Sequence, residues 1–240
     1  MQAQVPVNCR VYAVGDIHGR VDLLRTLNSR IVSDAARFDD DCENIVIYLG
    51  DYVDRGDQSR EVISTLIDDP LEDFSRVHLC GDHERYLLQF LKDPDVGSTW
   101  LFNGGDATLR SYGVDLEDPA FGREGWPWVQ QRLIDGLPAR HLAFLRDLDL
   151  QHVEGDYLFV HAGVRPGAAL DRQDETDLLW IREDFLHSTE QFGKMIVHGH
   201  TVTADVEVHL NRIGIDTGAY MSDTLSCLVL EGGSRRFIQT

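Results

Sequence analysis

The sequence lacks long apolar runs, clustered cysteines and any excess of positive charge, and each absence excludes a class of protein. Its longest strongly apolar stretch is residues 45–49, whereas a membrane-spanning helix needs about 20 consecutive apolar residues. No membrane partner is expected. The N-terminal MQAQVPVNCR has neither the basic start nor the apolar core of a secretory signal. The four cysteines, Cys9, Cys42, Cys80 and Cys227, form no CxxC pair, so neither a zinc cluster nor a disulfide framework is expected. Free thiols in a reducing cytoplasm are the simplest consequence. Only 22 Lys and Arg oppose 41 Asp and Glu, a net charge of −19. No basic stripe follows a nucleic-acid backbone.

What is present fits one globular domain. The 240 residues are 42% hydrophobic and 26% charged, too apolar for disorder. They show no internal repeat, low-complexity tract or linker. A single domain over residues 1–240 is expected, able to bury roughly 70–75% of its unfolded surface. Asp39, Asp40, Asp41, Asp68 and Asp69 fall in loop-like sequence and read as surface charge.

Strands are predicted at residues 10–14, 45–49 and 77–80, apolar stretches that each run into glycine. Helical spacing follows each one. Val21, Leu24, Leu27 and Ile31 share a face, and residues 61–67 and 86–91 also read as helix. Alternating strand, glycine turn and helix specifies an α/β fold with parallel strands in its first half. Residues 113–125 are expected to be loop, and 126–137 helix, with Trp126, Trp128, Val129 and Leu133 packed inward. Strands at 157–160, 194–197, 206–210, 212–215 and 226–230 predict a second sheet packed on the first.

The first three predicted strands end alike. GDIHG (15–19), GDYVDRG (50–56) and GDHE (81–84) each put an aspartate one residue after the glycine at a strand's carboxyl end. Ligands of open α/β sheets bind outside those ends, so Asp16, His18, Asp51, Asp54, Asp82 and His83 are expected to converge. Gathered carboxylates repel one another unless cations sit between them. Later strands end in LFVHAG and IVHGHT, adding His161, His198 and His200. Mixed aspartate and histidine ligands suit manganese, iron or zinc better than calcium. The remaining histidines, His78, His141, His152, His187 and His209, read as surface or core residues.

The set GDIHG, GDYVDRG, GDHE, HAG and GHT resembles the motif series of calcineurin-like metallophosphoesterases. It most resembles the serine/threonine phosphoprotein phosphatase branch in its small phage and bacterial form. WLFNGGD (100–106), LLWIRED (178–184) and IDTGA (215–219) also look like that branch. The resemblance implies a sandwich of two mixed β-sheets flanked by helices, and a dinuclear centre of two divalent metal ions, manganese before iron or zinc. It implies one ion held by Asp16, His18 and Asp51, and the other by Asp51, Asp82, His161 and His200, with Asp51 bridging. His83 matches the proton donor to the leaving group and Asp54 its orienting partner. Arg55 and Arg182 match the arginines on the phosphate oxygens, although Arg182 reads equally well as one half of a surface ion pair. His198 matches no ligand position. The implied activity is hydrolysis of phosphomonoesters on serine, threonine or tyrosine of proteins and peptides, by in-line attack of a water activated between the ions.

One position departs from the pattern. The family reads GNHE, and this chain carries Asp82 where asparagine is usual. Asparagine ligates through a neutral carbonyl and keeps an amide donor for phosphate, whereas aspartate adds a negative charge and no donor. Weakened turnover, or a phosphate- or partner-binding module without turnover, are readings this substitution opens. A further alternative is hydrolysis of dinucleoside tetraphosphates or other small phosphoesters. In the tetraphosphatase branch the second motif reads VARG, where this chain has VDRG. Residues 100–128 and 165–177 are expected to form the cleft rim and set specificity.

Overall fold

The computed structural model describes residues 2–38, 42–68, 71 and 73–240. Of the acidic positions read as surface charge, Asp39, Asp40, Asp41 and Asp69 lie outside that set. Asp68 caps a helix and pairs with Arg140 at 2.8 Å.

In chain order the strands are β1 (Cys9–Val14), β2 (Glu43–Tyr48), β3 (Phe74–His78), β4 (Gln151–Glu154), β5 (Tyr157–Val160), β6 (Met195–His198), β7 (Glu207–Val208), β8 (Arg212–Gly214), β9 (Ser226–Glu231) and β10 (Ser234–Gln239). The helices of the first half are α1 (Val21–Ala35), α2 (Ser59–Ile67), α3 (Asp82–Phe90), α4 (Gly97–Phe102) and α5 (Gly105–Ser111). They are followed by α6 (Pro119–Glu124), α7 (Trp126–Gly136), α8 (Ala139–Arg146), α9 (Glu175–Trp180), α10 (Glu183–Leu186) and α11 (Ala219–Ser222).

Two mixed sheets of five strands result, ordered β10-β9-β1-β2-β3 and β4-β5-β6-β8-β7. β1, β2 and β3 are parallel, as are β5, β6 and β8, whereas β9 pairs antiparallel with β1 and β10, β4 with β5, and β7 with β8. Alternation along β1 explains the layering, because successive side chains leave opposite faces. Val11 and Ala13 meet Phe159, Val197 and Ile213 in the core between the sheets. Tyr12 and Val14 face Leu24, Leu27 and Ile31 of α1 on the outer side. The far face of the second sheet is covered by Leu178 of α9 and Phe185 of α10. Helices therefore flank a sheet-on-sheet sandwich.

The structure corrects three expectations. Residues 119–124 are helix α6 rather than loop, because Asp118 accepts from the Ala120 N–H at 2.8 Å and Pro119 fits the first turn. Residues 226–231 do not join the second sheet. β9 pairs antiparallel with β1, where both its faces are covered. Only Glu207 and Val208 of the expected strand at 206–210 pair, at an edge. Trp126 and Trp128 are partly buried against the outer core, as expected.

Candidate active site

Six loops leave the carboxyl ends of the parallel strands on one side of the sandwich: those after β1, β2 and β3, and those after β5, β6 and β8. The first three carry Asp16 and His18, Asp51 with Asp54 and Arg55, and Asp82 with His83. From the second sheet come His161 and His200. Tight turns hold these side chains inward at a conformational cost. His18, Asp51, Asp54, Arg55 and His200 have φ of 46°, 51°, 70°, 66° and 62°. Left-handed backbone at a non-glycine residue costs on the order of 1–3 kcal/mol and persists where surroundings enforce it. Glycine makes room at two close approaches: a Cβ on Gly81 would collide with Asp51 Oδ1, and one on Gly199 with Asp16 Oδ1.

Two groups of ligand-type atoms converge within 4.8 Å of one another. One joins Asp51, Asp82, His161 and His200, and the other His18, Asp51 and His83, all buried. Asp51 is common to both. Asp82 Oδ1 lies 3.1 Å from His161 Nε2 and 3.0 Å from His200 Nδ1. Asp16 is in neither group. Its Oδ2 accepts from the His200 N–H at 2.9 Å, and its Oδ1 is buried with no hydrogen-bond partner among the described residues.

Ring orientation is set by backbone carbonyls, which can only accept. His18 Nδ1 donates to Val53 O and His161 Nδ1 to Leu49 O, each at 2.9 Å. The Nε2 lone pairs are thereby turned into the cluster, His18 at 3.4 Å from Asp51 Oδ2 and His161 at 3.4 Å from Asp51 Oδ1. A lone pair aimed at carboxylate oxygens needs something positive between. Protons alone fill that need unevenly. Burial opposes the charge on His161, but Asp51, Asp82 and Asp16 hold it protonated well above the usual imidazole range. Burial pushes His18 down to about 3. Together with the bare Asp16 oxygen, this donor set fits divalent cations with mixed N and O ligands.

Beside the cluster, His83 Nδ1 is 2.7 Å from Asp54 Oδ2. Asp54 is fully buried and anchored four further times: Trp100 Nε1 donates to Oδ2 at 2.8 Å, Thr108 Oγ1 donates to Oδ1 at 2.6 Å, and the Asp54 N–H reaches the Thr108 and Ser59 hydroxyls at 2.8 and 3.1 Å. Burial disfavours the imidazolium of His83, yet Asp51 and Asp54 outweigh it and raise the ring to about 9. Arg55 Nη1 stands 3.0 Å from His18 Nε2, and its guanidinium covers the Tyr220 ring at 4.8 Å.

Arg182 is exposed, immediately precedes α10 and makes no ion pair among the described residues, so the surface ion pair does not form. His198 is buried, edge-on to Phe185 and turned toward the Gly199 carbonyl, away from the carboxylates. Sequence reasoning missed Trp100, Thr108 and Glu84. The buried Glu84 carboxylate accepts from the N–H groups of Asp51, Tyr52, Val53 and Gly81 at 2.8–3.2 Å. Its place in GDHE was the available signal; Trp100 opens WLFNGGD and Thr108 follows it, but neither position names Asp54 as the partner.

The model of the calcineurin-like phosphoesterase family matches residues 9–217. Serine/threonine-protein phosphatase 2 of Escherichia coli K12 is 28% identical over 225 residues, 90% of each chain. The symmetrical bis(5'-nucleosyl)-tetraphosphatase of Aromatoleum aromaticum is 31% identical over 157 residues, 65% of this chain and 45% of that one. Among solved structures, the cold-active protein-tyrosine phosphatase of a psychrophilic Shewanella shares the fold, with a TM-score of 0.56 at 18% identity, covering 98% of this chain and 83% of that one. The chain belongs to the calcineurin-like phosphoesterase family.

Proposed function

We propose that the chain hydrolyses phosphomonoesters carried by proteins or peptides, on serine or threonine and also tyrosine, with two divalent ions, manganese foremost. The observation that carries the reading is the buried His83–Asp54 pair at 2.7 Å, set directly beside the converging ligands of Asp51. Asp16, His18 and Asp51 would hold one ion, and Asp51, Asp82, His161 and His200 the other. When bound, such ions polarise a phosphoryl oxygen and acidify a water enough to serve as nucleophile near neutral pH.

The protein's own groups do the rest. Asp54, locked by Trp100 and Thr108, keeps a proton on His83 Nδ1 and the ring positively charged. The opposite nitrogen, 3.8 Å from Asp51 Oδ2, is then free to give its proton to the departing alkoxide. General acid catalysis of this kind contributes about 10²–10⁴ in rate. Arg55 offers a planar pair of donors for the phosphoryl oxygens, steadied by the Tyr220 ring beneath it and by Gly104, whose carbonyl takes the Arg55 N–H at 3.1 Å.

Two observations favour phosphoprotein over dinucleoside tetraphosphate. Asp54 stands where the tetraphosphatase pattern has alanine, and the relative matched over 90% of both chains is named a protein phosphatase. Phosphoserine, phosphothreonine and phosphotyrosine peptides assayed against diadenosine tetraphosphate with manganese test the choice. Turnover of the dinucleotide with none of any peptide would reverse it. Tight phosphopeptide binding without hydrolysis would instead favour a binding module, the reading that Asp82 opens.

A further inference from the structure

Asp216 lies just beyond β8, in the last of the six loops, and is 1% exposed. Its Oδ1 accepts from the Gly218 N–H at 2.9 Å, while Oδ2 is buried without a hydrogen-bond partner among the described residues. Asp16, 2% exposed, is in the same condition, with one oxygen on the His200 N–H and the other bare.

The two carboxylates sit on abutting turns. Gly15 lies so close to the Ile215 carbonyl that an added Cβ would stand 2.5 Å from its oxygen and 3.6 Å from the Asp216 nitrogen. On the other flank, the Ile215 N–H donates to His198 O at 2.9 Å, and the Thr203 N–H to Asp216 O at 3.0 Å. Asp216 is thus wedged between the turn bearing Asp16 and the turn bearing His200. Neighbouring buried anions, each with a bare oxygen, call for positive charge or a donor between them. The two expected ion cages are also unequal. Asp51, Asp82, His161 and His200 supply four residues, whereas Asp16, His18 and Asp51 supply three.

We propose that Asp216 belongs to the divalent-ion site, as a fourth carboxylate whose bare Oδ2 raises affinity for the ion on the side of Asp16, His18 and Asp51. This rests on the dinuclear reading above. Calorimetric titration of Mn²⁺ into chelator-stripped protein, with bound metal counted by elemental analysis, compares the unsubstituted chain with Asp216→Asn and Asp216→Ser. Both variants retain an acceptor for the Gly218 N–H.

The expected result is one binding step weakened about 10–100-fold in both variants, with the other step moved less than about threefold. Metal-free Asp216→Asn is expected to melt at or above the unsubstituted chain, because a buried charge has gone. Unchanged steps in a variant with normal circular dichroism would overturn the proposal, as would equal weakening of both steps. Loss of folding in both metal-free variants would make Asp216 a structural residue and overturn it too. An unsubstituted chain that binds fewer than two ions would instead sink the dinuclear reading itself, a failure separable from that of Asp216.

Discussion

Asp82 serves two histidines with a single oxygen, at 3.1 and 3.0 Å, and offers phosphate no donor. Burial opposes its charge, but His161 and His200 hold it ionised. One extra negative charge about 5 Å from a phosphate, at an effective dielectric of about 20, is worth about 3 kcal/mol. Asp82→Asn is therefore expected to lower the inhibition constant of inorganic phosphate and to raise kcat/KM on p-nitrophenyl phosphate, each by up to about a hundredfold. An asparagine variant no faster than the unsubstituted chain at saturating manganese would show the charge argument to be wrong. At this scale the glycine-flanked aspartates and histidines were readable, because strand ends and residue type together say where they point. Trp100 and Thr108 were not. They meet Asp54 across 46 and 54 positions of chain, and nothing local marks an indole or a hydroxyl as the anchor of a distant carboxylate.

At the scale of elements, α3 does more than carry Asp82 and His83. Glu84 in its first turn gathers four backbone N–H groups from two loops. Glu84→Ala would leave them buried and unpaired, at about 1–3 kcal/mol each before relaxation. The variant is expected to lose about 3–5 kcal/mol of stability in urea titration. A second link of this kind is His141 of α8, which bridges Ser64 of α2 at 3.2 Å and Tyr112, after α5, at 2.9 Å. Burial, helped by Arg140 and Arg60, lowers this imidazole to about 4. It stays neutral in the fold but takes a proton below about 6.5 once the chain unfolds. Its contribution is thus complete above pH 6.5 and is lost as pH falls toward 4, about 2 kcal/mol in all. Melting temperatures measured from pH 7 to 4 are expected to fall less steeply for His141→Gln. Elements with strong periodicity, such as β1 and α1, were legible to within a few residues. β10 and α6 were not: SRRFIQ hides an edge strand behind charge, and a six-residue helix is announced only by its cap.

For the whole molecule, charge and metal govern behaviour. With a net charge of −19, the protein repels anionic partners at low salt over a screening length of about 10 Å at 0.1 M. Raising ionic strength from 10 to 150 mM is expected to increase kcat/KM for phosphopeptides with acidic flanks and to decrease it for basic ones. Stripping metal is expected to abolish turnover and to lower the melting temperature by roughly 10 °C, since an ion at a thousand times its Kd stabilises by about 4 kcal/mol. The α/β class and paired sheets were legible from strand count and glycine turns. The sheet that each late strand joins was not, because pairing partners are chosen by burial of both faces, which β9 finds beside β1.

The seam between the sheets is oily along most of its length, with Val11, Ile47, Phe159 and Ile213 inside it. At one end it is stitched instead by His161 to Leu49 and by His200 to Asp16. Such a sandwich comes apart unequally. Chilling weakens the oily stretch and spares the hydrogen-bonded end, so frost would part the seam from its oily side first.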